Sequence, residues 1–239
     1  MRWNRTSKLI AVAVLLWCGT LAKTRGGTIT SIGTTSFPTN STGTIGPVGN
    51  TPAPNNDNAV APSPNIIPYS IFFNSLGTLD VEFVVANSGG TTEYRFTQGL
   101  INNTGQAWAG FHFELGFGTG ANFVQSGLSD SLDFDSPNLD PTPFSSVFTT
   151  LNHQVDTLDW AGGNAPAISV VVFSFAVDVP DNLQIFNPNG VNRFTLRQSP
   201  AAVPEPATMI LLGAGLTAVA GVIRKREGVK KSKTASLIS

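Results

Sequence analysis

The run from Ala107 to Phe117, AWAGFHFELGF, limits what this chain can fold into more than any other segment. Ala109, Phe111, Phe113, Leu115 and Phe117 recur at every second position. A strand alternates its side chains between two faces, so those five line one side while Trp108, His112 and Glu114 line the other. A helical period would scatter the phenylalanines around the axis and leave no continuous apolar stripe. Leu79, Val81, Phe83 and Val85 repeat the pattern, and Tyr94 and Phe96 alternate with Glu93, Arg95 and Thr97. Tyr69 to Phe73, Val147-Phe148, Ile168 to Val177 and Val191 to Leu196 add runs rich in β-branched and aromatic residues. Asn87-Ser-Gly-Gly90 reads as a hairpin turn, and Asn102-Asn-Thr-Gly105 as the turn into the phenylalanine run. These features predict an all-β domain over residues 66–200, an antiparallel β-sandwich of about seven to nine strands around one core.

Charge is segregated along the chain. Between Thr28 and Val203 only Arg95, Arg193 and Arg197 stand against thirteen Asp and Glu residues, whereas the other basic residues crowd the two ends. A middle with a net charge near −10 has the wrong sign for a nucleic-acid partner. The ends read as membrane signals. Arg2, Arg5 and Lys8 precede an apolar run from Leu9 to Leu21, and Thr20 and Ala22 supply the small residues of a cleavage site. That layout predicts a secretory signal peptide over residues 1–22; an uncleaved anchor is the alternative. Cys18 is the sole cysteine, so cleavage after Ala22 leaves a mature chain without thiol chemistry.

At the other end, Pro204-Glu205-Pro206 precedes an uncharged stretch from Ala207 to Ile223, followed by Arg224-Lys225-Arg226. Seventeen residues at ~1.5 Å each span ~25 Å as a helix, the short end of a transmembrane segment. The basic cluster behind it predicts a cytoplasmic C-terminus, with residues 227–239 as a short tail. The two prolines mark the helix boundary. This three-part end resembles the PEP-CTERM sorting signal of Gram-negative bacteria, over residues 201–226. The resemblance implies an exosortase as partner, recognition at Pro204, Glu205, Pro206, Arg224, Lys225 and Arg226, and passage of the ectodomain to the envelope surface or its exopolysaccharide. The tail beyond Arg226 is longer than such signals usually carry. An ordinary uncut anchor over 207–223 is the alternative.

Between the two signals lies a polar stretch. Of the 38 residues from Thr28 to Asn65, 28 are Thr, Ser, Gly, Pro or Asn. So little apolar surface does not offset the entropy of ordering a chain. Residues 23–65 are therefore predicted to be a linker, with Ile29, Ile32 and Phe37 as the alternative makings of a first strand.

Three side-chain sets are candidates for chemistry. Trp108, His112 and Glu114 share a strand face, where a ring could stack on a sugar and a carboxylate could accept its hydroxyls; a solvated strand face is the plain alternative. Glu82, Glu93 and Glu114 are the glutamates that a glycosidase would have to pair across a cleft. Asp130, Asp133, Asp135 and Asp140 crowd one loop with the hard oxygen ligands that Ca²⁺ takes, though not at EF-hand spacing. Neither His112 nor His153 sits in a zinc-binding spacing. The reading that follows is an exported, non-catalytic surface protein with a structural or adhesive role. Its alternatives are a carbohydrate-binding module and an envelope hydrolase.

Overall fold

The computed structural model describes residues 26–36, 42–45, 63–136, 139 and 141–203. The strands among them are β1 (Thr28–Ser36), β2 (Thr42–Ile45), β3 (Ile66–Phe73), β4 (Leu79–Ala86), β5 (Thr91–Asn102) and β6 (Trp108–Phe117). They continue with β7 (Val124–Gln125), β8 (Phe144–Ser145), β9 (Thr150–His153), β10 (Thr157–Ala161), β11 (Ser169–Pro180) and β12 (Arg193–Ala202). Among the described residues, helix is confined to two single 3-10 turns, Gly120–Asn122 and Leu183–Ile185.

The strands form two sheets. The first has the order β1-β4-β12-β6-β10-β9, with β7 added beside β6; the second has the order β2-β3-β5-β11-β8. Ring contacts join the sheets across the space between them: Phe83 to Phe96, Phe73 to Trp108, Phe111 to Phe173 and Phe113 to Phe175, all with centroids 4.9–5.5 Å apart. Offset and edge-to-face pairs of this kind each add about 0.5–1.5 kcal/mol to the burial of the rings. The alternating residues of the phenylalanine run, Phe111, Phe113, Leu115 and Phe117, are all buried in this core, as are Leu79, Val81, Phe83 and Val85.

Several expectations change. The first sheet is antiparallel throughout, but the second is mixed, because β3 pairs with β5 in parallel register, Ile67 opposite Phe96 and Ile71 opposite Leu100. Twelve strands are described where seven to nine were expected, several of them only two to five residues long. Asn87 to Gly90 does turn the chain, with Gly89 and Gly90 at φ 97° and 108°. It joins strands of different sheets, however, and so makes an arch and not a hairpin. Local turn chemistry sets a reversal of direction; the partner of each strand is set by which face must reach the core.

The predicted linker is also corrected. Thr28–Ser36 is a strand, paired antiparallel with β4 through two register shifts, and Thr42–Ile45 pairs with β3. A polar strand can occupy a sheet edge because main-chain hydrogen bonds hold it there and little apolar burial is needed. One anchor suffices: Ile29 is buried and its N–H donates to the Tyr94 hydroxyl at 2.9 Å. Gly26 shows how tight the entry is, since a Cβ there would lie 1.7 Å from the Thr91 carbonyl carbon. Ser63 and Asn65 are buried too, and both side chains donate to the Glu93 carbonyl. The folded unit therefore begins well before residue 66. Phe37 lies outside the described residues, as do residues 1–22.

Candidate functional site

The expected sugar-contact face comes apart at Trp108. β12 and β6 pair Ala201 with Gly110 but Ala202 with Trp108, so Ala109 is an extra residue on β6. A bulge of one residue reverses the face of everything beyond it. Trp108 consequently points inward, fully buried against Phe73 and Phe111, with its indole N–H donating to Thr104 Oγ1 at 3.3 Å. The indole is therefore withdrawn from the outer face, where it was expected to stack on a sugar.

His112 and Glu114 stay on the outer face and gain a neighbour from β10. Asp159 stands opposite His112, and the ring N–H at Nδ1 donates to Asp159 Oδ1 at 2.6 Å. His112 Nε2 lies 3.8 Å from Glu114 Oε2. Ser199 stands opposite His112 on the other side, on β12, but no hydrogen bond joins its hydroxyl to the ring among the described residues. The group is an imidazole oriented by one carboxylate and flanked by a second, on an open strand face. Asp159 belongs to a five-residue strand whose alternation, Leu158 and Trp160 inward, was too brief to read from sequence.

On the same face the remaining carboxylates are tied to arginines. Arg197 grips Asp80 with two hydrogen bonds of 2.7 and 2.9 Å, donates to the Gly120 carbonyl and covers the Phe123 ring at 3.7 Å. Arg193 reaches Glu82 Oε2 at 2.8 Å. Glu82, Glu93 and Glu114 therefore do not form a facing pair: Glu82 is bound to Arg193, Glu114 lies near His112 and Glu93 is on the other sheet.

The acidic loop is more buried than a solvated turn. Asp130 and Asp135 are buried. Asp130 organises its own loop: Oδ1 accepts from the Ser126 hydroxyl and the Leu132 N–H, Oδ2 from the Gly127 N–H, at 2.8–3.0 Å. Asp133 exchanges main-chain hydrogen bonds with Asp178 at the edge of β11, and its carboxylate accepts the Ser136 N–H at 2.8 Å. Burial, and then the charges of Asp135, Asp156 and Asp130, push Asp133 up to about 6. Asp156, from the β9–β10 turn, is likewise raised to about 6, first by burial and then by Asp130.

The expected calcium set is not assembled as one cage. Among the described residues, the set of three whose ligand oxygens all lie within 4.8 Å of one another is Glu93, Asp135 and Asp178, all buried, so it shares only Asp135 with that set. Asp140 lies outside the described residues. Glu93 and Asp178 are cross-strand partners on β5 and β11, and Asp135 reaches them from a left-handed backbone position with φ 46°. Sequence could not bring the three together, because they lie on two strands and a loop far apart in the chain.

The last strand leads straight into the C-terminal segment. β12 ends at Ala202, and Val203 N–H donates to the Ala107 carbonyl at 2.9 Å. The family model for the PEP-CTERM protein-sorting motif matches residues 202–226. No curated protein and no solved structure matches the chain. Pro204, Glu205, Pro206, Arg224, Lys225 and Arg226 lie outside the described residues, as does the 207–223 span. No helix among the described residues is long and apolar enough to cross a membrane.

The chain carries a PEP-CTERM protein-sorting motif, which implies an exported exosortase substrate sorted to the cell envelope.

Proposed function

We propose that this chain is a structural or adhesive surface protein, a non-catalytic β-sandwich held at the inner membrane by its 207–223 span until an exosortase releases it. The observation that carries this reading is the sorting motif at residues 202–226 and its junction with the domain. The match to the motif begins at the last residue of β12, so in sequence no linker separates the sheet from the signal. A non-catalytic role is supported by the outer face of the first sheet, where Asp80 and Glu82 are held by the chain's own arginines. In this reading the signal peptide is cut after Ala22, the tail from Glu227 faces the cytoplasm, and exopolysaccharide is the surrounding matrix.

The test separates recognition from mere anchoring. The prolines serve both a helix boundary and an enzyme site, but only recognition needs the carboxylate between them. Glu205→Ala should leave membrane insertion intact and block release, so that uncut protein accumulates in the inner-membrane fraction. The mass of the released wild-type ectodomain should end near Pro204 to Pro206. A surface-located wild type that retains its mass through Ser239 would refute exosortase processing and leave a plain anchored domain.

A further inference from the structure

The outer face of the second sheet is apolar where the first is charged. Register places Phe72, Ile101 and Val170 in one row across β3, β5 and β11, and Ser70, Gly99 and Val172 in the next. A third row holds Pro68, Thr97, Ser174 and, on β8, Phe144. No ionisable side chain lies in these three rows; the next row holds Ile66, Arg95 and Ala176, so Arg95 marks the charged rim of the patch. Phe72, Phe144 and Val170 are 46%, 54% and 57% exposed, and Ile66, Val172 and Ile168 at the rim and centre are exposed as well. Pro68, Ser70, Thr97, Gly99 and Val172 line a shallow, open concavity of about 450 Å³ on this face. Its floor is Gly99, where an added Cβ would meet nothing closer than the Ser70 hydroxyl at 3.4 Å.

Single exposed apolar side chains are ordinary, whereas a contiguous uncharged patch of several hundred Å² is a surface that proteins often use for contact. The six exposed side chains, those at the rim included, leave roughly 500 Å² per molecule, so two such faces fully covered together offer about 1,000 Å², the lower bound for a specific interface. The face is also self-complementary in kind. It carries an exposed ring, Phe144, two strands from the glycine-floored hollow, and a two-fold axis would bring the same patch of each molecule together. With no charge in the three rows, like-charge repulsion does not oppose the pairing.

We propose that a second copy of this chain docks on this face, the two β3-β5-β11-β8 sheets stacking back to back at the usual ~10 Å sheet spacing. This face belongs to the folded domain, and its pairing does not depend on how the sorting signal is processed.

The test uses the full chain, in which Cys18 is the sole native cysteine. Single cysteines are introduced at Val170, Val172 and Phe144 in turn, with Asn152→Cys on the opposite sheet as a control, and cells are treated with a short bis-maleimide cross-linker. A band of twice the monomer mass should appear for at least one of the three. It should be absent for Asn152→Cys and for the wild type, and should fall at least tenfold when Val172→Lys or Val170→Lys is added. Circular dichroism of each purified variant checks that the fold is kept. Cross-linking no stronger than the Asn152→Cys control would overturn the proposal. So would a monomer whose introduced cysteines resist maleimide, since another part of the chain then covers the face. A monomer that gains protection only when neutral glycan is added would overturn it in favour of a carbohydrate ligand.

Discussion

The two outer faces of this domain are built on the same strand alternation and solve opposite problems. The face of β4, β12, β6 and β10 carries Asp80, Glu82, Arg193, Arg197, His112, Glu114 and Asp159, and binds most of them to one another. The face of β3, β5 and β11 keeps its charges at one end, with Glu93 and Asp178 buried beside Asp135 and Arg95 in the next row, and leaves the rest to uncharged residues, Phe, Val, Ile and Gly with Ser70, Thr97 and Ser174 among them. Two of the three arginines of the whole middle segment are spent on the first face. The contrast shows that polarity at an outward position does not itself mark a site. Charges locked in mutual pairs hold a face together, and an uncharged face is the one left with contact to make.

The sharpest break of the comparison is at the bulge. Trp108 has the sequence parity of the charged face but lies in the core, so Trp108→Ala should cost about 3–5 kcal/mol, as large aromatic deletions do. His112→Ala, two positions of equal parity further on, should cost under about 1 kcal/mol. Chemical denaturation of the two variants decides it; equal losses would mean that the bulge does not exist.

Arg197→Ala comes next. It strands the Asp80 carboxylate, whose side chain is only 3% exposed, and breaking such a pair from one side costs about 3 kcal/mol. Arg193→Ala should cost less, near 1 kcal/mol, because that guanidinium is 38% exposed and makes one bond to Glu82. The midpoint shifts of the two variants should keep that order.

A smaller effect tests the acidic end. Asp133 and Asp156 both sit above the ordinary carboxylate value, at about 6. The folded protein therefore keeps protons that the unfolded chain has released between about pH 4 and pH 6. These groups favour the fold most below pH 4, and that contribution is lost as pH rises through 6. Asp133→Asn keeps the acceptor for Ser136 N–H and removes the penalty, so it should raise stability by about 1 kcal/mol at pH 8 after solvent screening, with the gain shrinking toward pH 4. A gain independent of pH would point to packing instead. The smallest effect belongs to the apolar face: Val170→Thr should change the melting of the monomer by less than about 0.5 kcal/mol, even though it alters the surface proposed to pair.

The local geometry of this protein is legible in its sequence. The alternation in Leu79 to Val85, Tyr94 to Phe96 and Phe111 to Phe117 assigned the inward side chains correctly, because a period of two is enforced by the backbone of each strand by itself. The C-terminal motif was legible for a related reason: its recognition depends on residues contiguous in the chain. What the tertiary structure alone decided is everything that depends on partners distant in sequence. It placed polar Thr28–Ser36 at a sheet edge through hydrogen bonds that composition does not reveal, and sent β4 and β5 into different sheets across a turn that looked like a hairpin. A single unpaired residue, Ala109, turned Trp108 from a surface ring into a core one. The same holds for the carboxylates. Asp130, Asp133 and Asp135 are neighbours in sequence, yet Asp135 meets Glu93 and Asp178 while Asp130 closes its own loop, because the direction of a side chain in a loop is set by the surface that the loop packs on.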